Sequence, residues 1–451
     1  MRHVSFSWMN HPGDFNIEMW YGQSQSGRHH QKSVETFKRL IISRKTRSIL
    51  IYMEYSKVLY FDYQATTPVA DEVLHKMQPY FTESFANPHA SDHALGWKSA
   101  ASVENAAQQV AHLIGADADE IIFTSGATES NNLAILGLAR RAAMTNIARK
   151  RILLSAIEHK CILSVGRVLE EQYGYIVESI PVDRNGNIKS AELKQLLGED
   201  VLLVSIMAVN NEIGSIQDIN SISDNIRKSG AIFHCDAAQA PIAITMESLA
   251  TKADMISLSG HKMYGPKGIG ALYIRRNLQD EIEPLIYGGD QQNGLRSGTL
   301  PTPLCVGMGA AAEYIGSQEV SERRKVLQDR TNRFLDMLLA LSWPTKLHGE
   351  EGQKRHPGNI SIGFPGFNAQ DILGALQPHL AASTGSACTS GIPEPSHVLK
   401  AIGLTTEEAK SVIRFSLGFE TSDQEVDVAV KLIDMALQKL SDSQMLISVQ
   451  N

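Results

Sequence analysis

The chain predicts an α/β fold, in which a mainly parallel sheet is covered on both faces by helices, followed by a smaller α+β region. Two observations carry this reading. Between residues 120 and 275, five short apolar runs (residues 121–123, 152–154, 201–209, 231–235 and 255–258) alternate with helix-like stretches such as residues 130–143 and 221–229. The runs are continuous and partly β-branched, as strands buried on both faces tend to be, and the alternation is that of βαβ units. The second observation is a change of character near residue 320. There an Arg-, Glu- and Leu-rich helical stretch (322–341) leads to a strand-like 359–364, a helix at 371–376, a strand at 412–417 and a helix at 424–440.

Taken in order, residues 1–56 stand apart. The first 52 hold two of the four tryptophans, eight Lys or Arg against three acids, and no clean hydrophobic period. They read as a disordered tail, or as sequence upstream of a true start at Met53, because the patterned chain begins near Val58. Residues 71–319 form the expected large domain. Residues 57–70 together with 320–451 form the expected small one.

Composition narrows the function. The chain has 451 residues, 43% hydrophobic and 20% charged, enough for about two domains and a sizeable core. A formal charge of -7 gives no broad nucleic-acid footprint, so no direct nucleic-acid binding is expected. No apolar run reaches the roughly 18 to 20 residues of a membrane-spanning helix. The four cysteines, Cys161, Cys235, Cys305 and Cys388, are too scattered for a disulfide scaffold or a CxxC metal site, which suits a reducing cytoplasm. Cys161, Cys235 and Cys305 have apolar neighbours and read as small core hydrophobes.

In parallel sheets ligands collect beyond the carboxyl ends of the strands, and the polar residues of interest all follow strands. Ser259-Gly260-His261-Lys262 ends one apolar run and Asp236 ends another. A lysine there, with an acid to complement a cationic ring, is the pair that pyridoxal 5'-phosphate requires: a Schiff-base lysine and a carboxylate for the pyridinium nitrogen. After residues 121–123 comes Thr124-Ser125-Gly126-Ala127-Thr128-Glu129, which opens a helix. Free backbone N–H groups at Ala127 and Thr128, with the Thr128 hydroxyl, could hold a phosphate. His159, in Glu158-His159-Lys160, can stack on a ring or move a proton. Asn210-Asn211-Glu212 and Gln239 add amide donors. Cys388 lies in Ser383-Thr384-Gly385-Ser386-Ala387-Cys388-Thr389-Ser390-Gly391, a run of small residues that reads as an exposed loop and so as a nucleophile. Taken singly, each of these residues also has an ordinary reading as a cap, a loop residue or a satisfied core group.

Together they resemble the cysteine desulfurases, pyridoxal phosphate enzymes of the class V aminotransferase-like group. The segments that carry the resemblance are Tyr60-Phe61-Asp62-Tyr63-Gln64-Ala65-Thr66-Thr67-Pro68, Phe123 to Asn132, Glu158-His159-Lys160, Val209-Asn210-Asn211-Glu212-Ile213-Gly214, Ser259 to Gly268, Arg296-Ser297-Gly298-Thr299 and Gly385-Ser386-Ala387-Cys388. They run in family order from about residue 58 to 420. The resemblance implies a fold-type I transferase with a seven-stranded-type sheet, acting as a homodimer with the cofactor near the subunit interface. It implies that Lys262 anchors the cofactor, Asp236 pairs with the ring nitrogen, His159 stacks on the ring and Gln239 contacts the phenolic oxygen. Ala127, Thr128, Ser259 and His261 would hold the phosphate, helped by Thr299 of a second subunit. Asn211 and Arg414 would bind the substrate carboxylate. The Cys388 thiolate would then take sulfur from L-cysteine, release L-alanine and pass its persulfide to a sulfur-acceptor protein.

The short loop around Cys388 is similar to that of the housekeeping branch. Three departures stand out: Gly288-Gly289-Asp290-Gln291-Gln292-Asn293-Gly294 replaces a glycine-rich pattern, Ala238 stands where Thr is common, and Gly391-Ile392-Pro393-Glu394-Pro395 follows the cysteine. They look similar to desulfurases that serve DNA phosphorothioation. Iron–sulfur supply, tRNA thiolation and selenocysteine lyase activity are the rival roles within the fold, and a non-catalytic scaffold is the rival outside it.

Overall fold

The computed structural model describes residues 2–4, 19–21, 58–385 and 396–450, and no side chains beyond 446. Residues 1–56 and 57–451 form two units. In the first, β1 (Arg2–Val4) pairs antiparallel with β2 (Met19–Tyr21).

The second unit opens with β3 (Leu59–Tyr60) and is built on a seven-stranded sheet. Its strands are β4 (Ile121–Thr124), β5 (Arg151–Ser155), β6 (Ile176–Ile180), β7 (Val201–Ser205), β8 (Ile232–Asp236), β9 (Met255–Ser259) and β10 (Gly270–Ile274), in the order β4-β10-β9-β8-β7-β5-β6. Only β10 runs antiparallel to its neighbours. Strands β4, β7, β9 and β10 are buried along their whole length, which is why their sequences read as unbroken apolar runs. The edge strand β6 is mostly accessible, and its mixed sequence gave no such signal.

Residues 201–209 do not form one strand. Beyond Ser205 the chain still follows β8, with the amides of Ile206 and Ala208 donating to the carbonyls of His234 and Asp236, before a Val209–Ile216 bridge closes a turn. The helix after β4 starts earlier than expected, at Ala127, and passes through a π turn at Leu133–Gly137 before resuming as Leu138–Met144. The helix Ile219–Ser229 is capped by Asp218, whose side chain accepts from the Ser221 amide, and ends at Gly230 with a left-handed φ of 71°.

The second sheet has the order β11-β12-β14, all antiparallel: β11 (Lys346–Leu347), β12 (Asn359–Gly363) and β14 (Val412–Ser416). A short β13 (Leu380–Ala381) pairs parallel with β3, Leu59 opposite Leu380. Phe61 meets Phe334 edge-on at 5.2 Å, and Phe334 meets Phe415 at 5.5 Å, so one aromatic cluster joins residues next to β3 to the helix Gln318–Leu339 and to β14. This packing brings Asp62 and Gln64 to the ends of the large sheet. Among the described residues no helix is long and apolar enough to cross a membrane.

Candidate active site

The carboxyl ends of β4, β5, β7, β8 and β9 open into a cavity of about 680 Å³, which residues 62–66, 383–385 and Arg414 close from the side of the smaller sheet. After β4 the chain turns at Gly126, with φ of 151°, and enters the helix at Ala127 and Thr128, both on the cavity wall. Gly270 of β10 makes this approach possible, since a Cβ there would sit 2.6 Å from the Gly126 Cα. Glu129 fixes the turn by accepting from the Ser125 amide and from Arg296 Nε, each at 2.8 Å. The site so formed is a helix N-terminus with open amides, the arrangement that holds phosphate.

After β9, Ser259 leads into the tight turn Gly260–Lys262. Lys262 Nζ donates to the carbonyls of Ala65, at 2.8 Å, and Gln64, with no carboxylate bonded to it. Burial, helped by the charge of Arg414, pulls the ammonium down to about 8, so near neutrality a useful fraction of the amine is free. His261 contacts Thr66 Oγ1 at 3.1 Å, and burial, then Lys262 and Lys267, pulls its imidazole down to about 4.

Asp236, at the end of β8, is buried. Its Oδ1 accepts from the Ala238 amide at 2.9 Å and its Oδ2 from Asn131 Nδ2 at 2.8 Å. Gln239 is buried close by and donates to the Gln64 carbonyl at 2.9 Å. His159 caps the helix Lys160–Tyr173 through Nδ1, and burial lowers its pKa against the opposing pull of Asp236. The neighbouring Glu158 is fully buried, with Oε1 accepting from the Met207 amide at 2.6 Å. Burial, then Asp236, raises its carboxyl well above the usual range.

Asn211 reaches the cavity from the turn after β7, which Asn210 stabilises by accepting from the amides of Glu212 and Ile213. Arg414 is buried on β14. Its Nη1 donates to the Asn211 carbonyl at 2.7 Å, and its Nη2 to Asp62 Oδ1 at 2.6 Å and Ser383 Oγ at 2.9 Å.

The structure therefore brings Lys262, His159, Ala127, Thr128, Asp236, Gln239, Ser259, His261, Asn211 and Arg414 to one cavity. Thr299 is exposed and does not line it. Cys388 lies outside the described residues, while Ser383 and Gly385, just before it, are on the cavity wall.

Cys161 has a second role that the sequence reading did not give it. It packs against the core together with Ile162, Leu163 and Val165, as expected, but it also lines the cavity, with its sulfur 3.0 Å from His159 Nδ1 and 3.3 Å from Asn131 Nδ2, and burial pushes the thiol up to about 11. Asp62, Gln64, Asn131 and Ser383 also line the cavity and had been given no role. Asp62, Gln64 and Asn131 stand in quoted motif segments, whereas Ser383, two residues past the short β13, had only the small-residue run before Cys388 to mark it.

A lysine with carbonyl partners, a buried acid across the cavity, open helix amides and a neutral histidine together fit pyridoxal phosphate in charge and in hydrogen-bonding sense. Comparison with known proteins agrees. The aminotransferase class-V family pattern matches residues 59–428. The cysteine desulfurase IscS of Rickettsia bellii is 45% identical over 384 residues, 85% of this chain and 92% of its own. A solved structure described as a NifS-like protein superposes with a TM-score of 0.77 at 34% identity, covering 85% of this chain and all of its own. SspA in complex with cysteine does so with a TM-score of 0.70 at 36% identity, covering 80% and 99%. The chain belongs to the class V aminotransferase family, among its pyridoxal-phosphate-dependent cysteine desulfurases.

Proposed function

We propose that this enzyme removes sulfur from free L-cysteine, releases L-alanine and carries the sulfur as a persulfide on Cys388 to an acceptor protein. One observation carries this reading: the lysine, the buried acid, the histidine, the carboxylate-binding arginine and the chain leading to Cys388 all meet at one cavity. Bound pyridoxal phosphate, held by Lys262, Asp236 and the amides at Ala127 and Thr128, supplies an electron sink for charge developing at the substrate Cα. Arg414 and Asn211 orient the substrate by its carboxylate. The Lys262 amine, with its lowered proton affinity, moves a proton at Cα. The Cys388 thiolate attacks the substrate sulfur. A new S–S bond forms, the electron pair of the broken C–S bond stays with carbon, and that carbon is protonated to give L-alanine.

The active unit in this reading is a homodimer in which Thr299, exposed in its own subunit, reaches the phosphate of the other. Residues 71–319 act as the large domain, and 57–70 with 320–451 as the small one that carries Cys388. A reducing cytoplasm suits the three free cysteines among the described residues, Cys161, Cys235 and Cys305. Iron–sulfur supply is favoured by relatives named IscS at 45 to 46% identity. The departures at residues 288–294 and 391–395 favour DNA phosphorothioation as a second reading.

The test is to supply purified holoenzyme with L-cysteine and to measure alanine and enzyme-bound persulfide. Cys388→Ser is expected to lose both while keeping the yellow cofactor absorbance. Sustained desulfuration by that variant would overturn the reading. Transfer of radiolabelled sulfur to a purified cluster scaffold, set against transfer to a DNA-modification partner, separates the two pathways.

A further inference from the structure

His159 starts the helix Lys160–Tyr173 by accepting from the Cys161 amide at Nδ1, at 3.3 Å. A ring nitrogen that accepts from an amide carries no hydrogen, so Nδ1 is the bare nitrogen of the neutral imidazole and Nε2 the protonated one. The Cys161 sulfur stands 3.0 Å from the same Nδ1. With no hydrogen on Nδ1, the thiol supplies the one between them, and burial, by pushing the thiol up to about 11, keeps that hydrogen on sulfur. The sulfur in turn accepts from Asn131 Nδ2 at 3.3 Å, and the same Nδ2 donates to Asp236 Oδ2 at 2.8 Å. Asn131 is fully buried, and its amide sits only this way round, because the opposite orientation would set its oxygen against the carboxylate.

One path of hydrogen bonds therefore joins His159 to Asp236 through Cys161 and Asn131. It crosses three elements: the helix Lys160–Tyr173, the helix Ala127–Asn132 and β8. The function reading above places both ends of this path in the cofactor site, and the inference rests on that reading. A further proton on the imidazole would have to settle on Nδ1, where it would displace two donors. The charged and titratable groups that face the ring are Asp236 from β8, Lys262 from the turn after β9, His397 from the helix His397–Ala401 and the adjacent Lys160. A change at Cys161 leaves all four in place.

We propose that Cys161 is a positioning residue for His159: its thiol fixes the imidazole as the Nε2–H tautomer and ties it, through Asn131, to Asp236. His159 then meets the cavity as a neutral ring with a hydrogen to donate, rather than as a base.

The experiment uses holoenzyme containing histidine isotopically labelled at both ring nitrogens, titrated from about pH 8 to about pH 5 and followed by NMR. The His159 signals are those missing from His159→Gln. Wild type is expected to show hydrogen on Nε2 and none on Nδ1 through the neutral range. Cys161→Ala removes the thiol and keeps the amide. It is expected to raise the midpoint of imidazole protonation by about one pH unit, the effect of one lost hydrogen bond to the neutral form. The acidic limb of kcat for alanine formation should move up by the same amount, since the ring then takes its proton at higher pH. Cys161→Ser keeps a donor at the position and should bring the midpoint back towards wild type, which a space-filling role would not do. A midpoint that stays or falls in Cys161→Ala, a Cys161→Ser midpoint equal to that of Cys161→Ala, or hydrogen on Nδ1 in wild type overturns the proposal. Full activity in His159→Gln overturns instead the place of His159 in the reaction, and the NMR midpoints still decide the Cys161 bond.

Discussion

The floor of the cavity and its rim are built by different means. On the floor, side chains are held largely by nearby backbone: Asp236 by the Ala238 amide, Lys262 by the carbonyls of Ala65 and Gln64. Beneath them Ser205, His234 and Ser257 form a ladder across β7, β8 and β9, with the imidazole 2.9 Å and 3.0 Å from the two hydroxyls. On the rim, Asp62, Glu212, Ser383, Ser396 and Arg414 are joined chiefly through side chains, and Asp62 and Arg414 stand 352 residues apart. Asp236 and the ladder cannot be disturbed without disturbing the sheet, whereas the rim, like the Gln64 and Ala65 carbonyls that hold Lys262, belongs to segments outside it. That suits chemistry on the floor and recognition at the rim.

The sharpest way to break this contrast is at the floor. Lys262→Ala is expected to lower the rate of alanine formation by about three orders of magnitude, the range of a lost proton-transferring side chain. The expected result pairs that loss with unfolding close to wild type, since the lysine bonds only to carbonyls that water can satisfy. Activity within tenfold of wild type would move the proton transfer elsewhere.

His234 tests the ladder by pH. Burial holds its pKa at about 3, against 6.5 for an ordinary histidine. Between these values the unfolded chain takes up a proton that the folded chain does not, so stability falls as pH drops from 6.5 towards 3, by about 1.4 kcal/mol per unit from this residue. His234→Gln removes that term. Its unfolding free energy, followed by urea titration at several pH values, should start lower at pH 7 and decline less steeply below 6.5. Parallel slopes for wild type and variant would mean that the imidazole is protonated in the fold.

The same contrast explains what was legible in the sequence. Asp236 and Lys262 could be read because each follows a buried strand, and the position of a strand end is written in consecutive letters. The strands β7, β8 and β9 were visible for the same reason, while β6, half exposed at an edge, was not. The bonds of Ser383 to Arg414 and of Ser396 to Glu212 join distant segments through tertiary packing, and no local pattern encodes them. Cys161 was read as core, which it partly is, but its place on the cavity wall depends on how the helix that His159 caps sits beside Asn131, and no local pattern encodes that. The role given to Thr299 came from resemblance alone.

Two ion pairs of equal length then separate burial from proximity. Asp62 and Arg414 meet at 2.6 Å with side chains 20% and 5% exposed; Lys76 and Glu313 meet at 2.6 Å with side chains 55% and 50% exposed, in the order Glu313 then Lys76. Asp62→Asn leaves a buried guanidinium without its counter-charge. The expected loss is about 2 kcal/mol, below the figure for a fully enclosed pair because Asp62 is partly wet. Lys76→Met removes the other pair where water screens both partners, and Glu313 keeps Gln109 Nε2 at 2.9 Å. Its expected cost is within about 0.5 kcal/mol. Urea unfolding of both variants at low and high salt checks the argument. Equal losses would show that contact distance, rather than removal from water, sets the strength of the rim, and the rim would then be no more specialised than any surface pair.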